Sequence, residues 1–202
     1  VTLWCIGRNY AAHARELGND VPDEPVIFLK ASSCLRGLAP EPLAVPDEAV
    51  HHEVELVLVV GHDVPIGADP GWAAVSEVAV GLDLTRRQVQ SQLKERGLPW
   101  ARAKSFGGSA VVGPRVPRAD LGDPEQAGIA LWVNGALRQE GRLDQMLFDV
   151  PSLLRHLAAL APLHAGDLVF TGTPPGVAEM RVGDRFRLQL RGAVVHTWEG
   201  EL

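Results

Sequence analysis

The run His51-His52-Glu53-Val54-Glu55-Leu56-Val57-Leu58-Val59-Val60 constrains this chain more than any other stretch. It is rich in β-branched residues and stops at Gly61, which is the pattern of a strand rather than a helix. Side chains alternate along a strand, so Glu53 and Glu55 share a face, about 6.6 Å apart at ~3.3 Å per residue. Val54, Leu56, Leu58 and Val60 take the opposite face. Two like charges on an apolar strand repel each other and resist desolvation. A divalent cation between them resolves both difficulties. A wet strand end would also carry such a pair, so other residues must decide.

Composition narrows the class. A chain of 202 residues, 46% hydrophobic, suffices for one full core, and a single domain over 1–202 is expected. Sparse aromatics (5%) with 21 Gly and 15 Pro suit short strands joined by turns. The net charge of −6 and the lack of a basic block argue against nucleic acid as a partner. No apolar run reaches the roughly 18 residues of a membrane span. The start lacks a signal-peptide pattern, although it begins at Val1 rather than Met, which leaves a trimmed start open. Cys5 and Cys34 sit in apolar surroundings, so a reduced, cytoplasmic setting is expected, with a disulfide between them left open. Of the 19 basic residues only those at 30, 94 and 104 are lysines. A Lys kept in an Arg-rich chain marks a place needing a compact amine, which draws attention to Lys30 and Lys104.

Strand candidates are 1–6, 26–29, 51–60, 78–84 and 168–170, with a closing hairpin of 185–190 and 194–198. Asn134-Gly135 between two apolar runs predicts another hairpin. Helices are expected at 10–17, closed by Gly18-Asn19, at 85–96, closed by Gly97, and at 150–161. The last of these would bury Leu153, Leu154, Leu157 and Leu160. Residues 38–50, 61–71 and 113–128 read as loops. Strands dominate and do not alternate regularly with helices, so the class is α+β, mainly β.

The common nucleotide, zinc-protease and redox motifs are absent, and Gly107-Gly108-Ser109-Ala110-Val111 lacks the second glycine of a nucleophile elbow. The remaining chemistry is oxygen-rich. Asp83 lies in another apolar strand, and with Glu53 and Glu55 it would supply three hard oxygen ligands, a set that suits Mg²⁺ or Mn²⁺. His51 and His52 are adjacent on a strand, point to opposite faces and cannot easily share one metal. His13 and Glu16 stand three apart on one helix face, where the carboxylate would orient the imidazole to deprotonate water. Lys104 places one amine in an otherwise uncharged loop, and Thr171–Gly176 forms a turn whose N–H groups could bind a carboxylate.

The ordered set Gly7-Arg8-Asn9-Tyr10-x-x-His13-x-x-Glu16, His52-Glu53-x-Glu55, Leu82-Asp83-Leu84-Thr85, Lys104-Ser105-Phe106 and Thr171-Gly172-Thr173-Pro174-x-Gly176 resembles the fumarylacetoacetate hydrolase family, in particular its short acylpyruvase branch. The match spans nearly the whole chain. The resemblance implies a mixed β-sandwich roll, a homodimer, and Mg²⁺ or Mn²⁺ held by Glu53, Glu55 and Asp83. It implies catalytic roles for His13, Glu16 and Lys104, the first two on a lid at about 8–25, and substrate contacts from Arg87, Gln90 and Thr173. The activity it implies is hydrolysis of a C–C bond in an acylpyruvate-type 2-oxo acid, releasing pyruvate as its enolate. The alternatives are oxaloacetate decarboxylation and isomerisation or decarboxylation of unsaturated 2-oxo diacids in aromatic catabolism. A non-catalytic ligand-binding relative is the remote one. Departures at Gly107-Gly108, Ala110-Val111 and Pro175 bear on substrate identity rather than on the metal.

Overall fold

The computed structural model describes residues 1–16, 18, 20–38 and 50–202. In chain order its strands are β1 (Leu3–Gly7), β2 (Val26–Lys30), β3 (Leu35–Gly37), β4 (Val50–His52), β5 (Val54–Val60), β6 (Val75–Asp83), β7 (Ala110–Val112), β8 (Val116–Pro117), β9 (Gly128–Val133), β10 (Ala136–Arg142), β11 (Leu168–Phe170), β12 (Ala178–Met180), β13 (Arg185–Arg191) and β14 (His196–Glu201). The α-helices are α1 (Ala11–Glu16), α2 (Arg87–Glu95), α3 (Ala101–Lys104) and α4 (Val150–Leu160). The fold is mainly β.

The larger sheet runs β2-β1-β11-β5-β6-β7-β3, with β8 added beside β6. It is mixed: β1 is parallel to β11 and β3 to β7, while the other pairs are antiparallel. A second, antiparallel sheet runs β10-β9-β13-β14. Leu56, Leu58, Val80 and Leu82 from the first sheet form one buried cluster with Ile129, Leu131, Leu188 and Leu190 from the second. That cluster is the sandwich interior. On the other side of the larger sheet, Val57, Val59, Ala79, Leu168 and Phe170 form a smaller one. β5 is therefore buried on both faces, which is why its sequence is almost continuously apolar. Glu55 belongs to the smaller cluster's side.

The expected strand over 51–60 is in fact two, broken at Glu53. β4 pairs with β12, whereas β5 pairs with β6 and β11. The break is held by one side chain from far along the chain. Gln139 Oε1 accepts the Val54 N–H at 3.0 Å and lies 2.8 Å from His52 Nδ1.

The Asn134-Gly135 hairpin forms as expected, with φ of 51° and 81° at the two turn residues. Helix α2 begins at Arg87 rather than Thr85, because Thr85 exchanges backbone hydrogen bonds with His51. Lys104 is not in a loop. It closes the helical turn α3, where the Ala103 and Lys104 N–H groups both bond the Trp100 carbonyl. Leu160 is 60% exposed, since the buried stripe of α4 ends at Ala158 and the last two residues lie past it. Cys5 and Cys34 are both free thiols. Leu17 and Asn19, at the end of the expected first helix, and most of the 38–50 loop lie outside the described residues. Among the described residues no helix is long and apolar enough to cross a membrane.

Candidate active site

Glu53, Glu55 and Asp83 converge at one end of the β5–β6 pair. The Asp83 N–H donates to the Glu53 carbonyl at 2.9 Å, so these residues face each other across the ladder. Glu55 lies two residues further along, opposite Gly81. One carboxylate oxygen from each of the three lies within 4.8 Å of the others, and none of these residues is more than 5% exposed. The three acids come together although Glu53 sits at the break between β4 and β5 rather than within the single strand that alternation assumes.

Three cations crowd this triad. The Lys104 ammonium donates to Glu53 Oε2 at 2.7 Å and to Asp83 Oδ2 at 2.6 Å. Arg87 donates through one Nη to Glu53 Oε1 and through the other to Gln90 Oε1, the latter at 2.6 Å. Lys30 sits 2.7 Å from Asp83 Oδ1 and donates to the carbonyls of Leu84, Ser109 and Lys104. Burial pushes the Glu53 carboxyl up, but Lys104 and Arg87 outweigh it and hold the acid well below the usual carboxylate range. Burial likewise disfavours the Lys104 ammonium, yet Asp83 and Glu53 keep it protonated far above neutrality.

Glu55 differs. It forms no ion pair among the described residues, and its Oε2 accepts the Gly172 N–H at 2.8 Å. Burial, then the charges of Asp83 and Glu53, push its carboxyl well above the ordinary value. Glu55, which pairs directly with no cation among the described residues, and the two acids beside it offer a converging set of hard oxygen donors. That fits Mg²⁺ or Mn²⁺, with Glu53, Glu55 and Asp83 as the residues that would hold it.

His13 is buried on α1, with Nδ1 3.3 Å from Glu16 Oε2. Burial lowers its pKa below the ordinary 6.5, against the pull of Glu53 and Glu16, so the ring is neutral at neutral pH. The two Glu16 oxygens also accept the Gly176 N–H at 3.0 and 3.2 Å, which ties α1 to the 171–176 loop. The N–H groups of that loop do bind carboxylates, but they are the protein's own Glu55 and Glu16. Gly176 has φ +100°, and a Cβ there would lie 2.0 Å from the Arg138 carbonyl oxygen. Gly176→Ala is therefore expected to destabilise the fold by about 3 kcal/mol or more. A urea unfolding midpoint equal to that of the parent would refute this.

His13, Arg87, Gln90, Lys104 and Thr173 line one small cavity together with Glu53 and Glu55. Of the residues picked from the sequence, Glu16 and Asp83 do not line this cavity; Glu16 adjoins it through His13 and Asp83 through the carboxylate triad. Arg87 and Gln90, expected to meet substrate oxygens, are joined to each other and to Glu53. Two supporting residues escaped the sequence reading. Gln139, besides holding the strand break, donates from Nε2 to Thr173 Oγ1 and the Pro174 carbonyl, both at 2.8 Å. Asn9, fully buried, donates to the Phe148 and Thr171 carbonyls and accepts the Phe148 N–H. Its place in the Gly7–Tyr10 motif was the only signal. Lys30 stood out by composition alone, without a role.

Comparison with known proteins identifies the family. The family model "Fumarylacetoacetate (FAA) hydrolase C-terminal" matches residues 2–198. The mitochondrial oxaloacetate tautomerase FAHD1 of Arabidopsis thaliana is 41% identical, over 93% of this chain and 85% of the relative. Oxaloacetate tautomerase YcgM of Escherichia coli is 38% identical, over 93% of this chain and 87% of its own. The crystal structure of fumarylpyruvate hydrolase from Pseudomonas aeruginosa, in complex with Mn²⁺ and pyruvate, superposes with a TM-score of 0.90 at 36% identity, covering 100% of this chain and 90% of that one. With the carboxylate triad in place and the match running nearly end to end, the chain belongs to the fumarylacetoacetate hydrolase C-terminal family.

Proposed function

We propose that this protein is a divalent-cation-dependent enzyme that interconverts the keto and enol forms of oxaloacetate. The observation that carries the reading is the triad of buried carboxylates in one cavity with a neutral His13 and a permanently charged Lys104. The sequence placed acylpyruvate hydrolysis first; the relatives named for oxaloacetate favour the other branch. A bound Mg²⁺ or Mn²⁺ would supply Lewis-acid polarisation of the 2-oxo acid. The residues do the rest. With Nδ1 turned to Glu16, His13 has Nε2 left to carry a proton from C3 of the substrate to its 2-oxygen, and back in the reverse direction. Lys104 stabilises the negative charge that develops on the 2-oxygen. Helix α1, as a lid bound through Glu16 to Gly176, keeps bulk water away. A second copy of the chain as partner, in a homodimer, is part of this reading.

A second reading is acylpyruvate hydrolysis, in which His13 would activate water instead. The fumarylpyruvate hydrolase likeness favours it. Both are tested by one panel: oxaloacetate enol–keto exchange, CO₂ release, and cleavage of acetylpyruvate and fumarylpyruvate, each with Mg²⁺, Mn²⁺ or chelator. Acylpyruvate cleavage with no effect on oxaloacetate would overturn the first reading.

His13→Ala is expected to lower enol–keto exchange by about 10²–10⁴-fold. Loss of CO₂ needs no base and should survive. In the parent, the acid limb of kcat/KM should lie below pH 6.5, because burial lowers the His13 pKa and activity falls only once the ring is protonated. The variant should lose that limb; an unchanged profile would remove His13 from the mechanism.

A further inference from the structure

Arg8 and Lys94 line the same cavity as the carboxylate triad, and the chemistry above gives them no task. Both are partly buried, and neither forms an ion pair among the described residues, whereas Arg87 on the same cavity is matched by Glu53. The Nε of Arg8 is buried without a hydrogen-bond partner. Its backbone has φ 60°, a left-handed conformation that a non-glycine residue seldom adopts. Next to it, Asn9 is locked to Phe148 and Thr171. The surroundings thus hold Arg8 in a strained turn at the cavity, the kind of strain that collects at ligand sites.

The Lys94 ammonium lies 5.4 Å from the centroid of Trp100, whose ring lines the cavity too. The aromatic face steadies the amine without neutralising it. Burial, then the charges of Arg8 and Arg87, lower the proton affinity of Lys94, so these cations feel one another. Unmatched cations crowded on one cavity wall repel until an anion joins them. The triad and its cation account for the 2-oxo carboxylate end of a ligand. They leave the far end unmet.

We propose that Arg8 and Lys94 bind the second carboxylate of a dicarboxylic 2-oxo acid and make the site select diacids over monoacids. This rests on the proposed 2-oxo acid chemistry for the identity of the ligand's other end.

The test compares oxaloacetate with 2-oxobutanoate, which has the same carbon count and lacks the second carboxylate. Exchange of the C3 hydrogens with deuterated water reads turnover of both by NMR. Calorimetry on Mn²⁺-loaded protein reads affinity for both, whether or not either reacts. Lys94→Met and Arg8→Gln should each shrink the oxaloacetate preference by about tenfold, in kcat/KM and in affinity. Lys94 is only partly buried on α2 and forms no ion pair among the described residues, so its change remains informative if Arg8→Gln fails to fold. A preference unchanged in Lys94→Met, or a parent with no preference in either readout, overturns the inference. If the parent exchanges neither acid but shows a binding preference that Lys94→Met abolishes, the inference stands and the proposed reaction falls.

Discussion

Glu55→Gln is expected to lower kcat/KM for oxaloacetate by about 10³-fold or more and to abolish stabilisation of the fold by Mn²⁺. Glu55 is one of three ligand candidates and the one with no cationic partner among the described residues. Polarisation by a bound cation contributes several kcal/mol to a transition state, and about 4 kcal/mol corresponds to 10³ in rate. In the parent, Mn²⁺ at 100 times its Kd should add about 2.7 kcal/mol of stability. The variant should add almost none.

With chelator present the sign reverses. Burial, Asp83 and Glu53 raise the folded-state pKa of Glu55 above its ordinary 4.5. The folded state therefore holds that proton more tightly than the unfolded chain does. The stability this contributes is present below the ordinary pKa and is lost as pH rises through the raised one. Gln carries no such proton and still offers an oxygen to the Gly172 N–H. Metal-free Glu55→Gln should thus match or exceed the parent in stability, by a margin that widens toward alkaline pH. Mn²⁺ binding by the variant as tight as by the parent would end the metal assignment for Glu55.

Lys30→Met should be the most destabilising change outside the catalytic groups, by about 3–5 kcal/mol. The Lys30 side chain has no exposed surface, is paired with Asp83, and satisfies carbonyls from the end of β6, from α3 and from the turn after it. Met fills the volume but removes one of the two ammonium groups paired with Asp83 and leaves several buried acceptors without their donor. Adding Asp83→Asn should recover part of the loss, because the buried charge left with Lys104 alone is then gone. A double-mutant cycle by urea unfolding measures the coupling. Additive effects would mean that the pair does not stabilise Asp83.

Local elements were legible because their causes are local. The Asn134-Gly135 turn needs positive φ at both positions, and only nearby residues decide that. The buried stripe of α4 and the two-sided burial of β5 follow from apolar spacing within a single element. The break at Glu53 was not legible, since its cause is Gln139, 85 residues from Val54. Lys104 in a helical turn and Leu160 in solvent were missed for a related reason. Each depends on what packs beside the segment, and neighbours in space leave no mark on spacing.

The candidate site divides along the same line. Sequence alone singled out Glu53 and Glu55 as a pair on one face, Asp83 as an acid within another apolar strand, and His13 and Glu16 as neighbours on one helix face. Those statements follow from the fixed periods of strand and helix. Only the tertiary structure decided that Asp83 stands opposite Glu53, that Lys30, Lys104 and Arg87 pair with two of the three acids, and that Glu55 pairs with no cation among the described residues. Charge balance in a buried site is a sum over residues far apart in the chain. Folding, not spacing, chooses which of them meet.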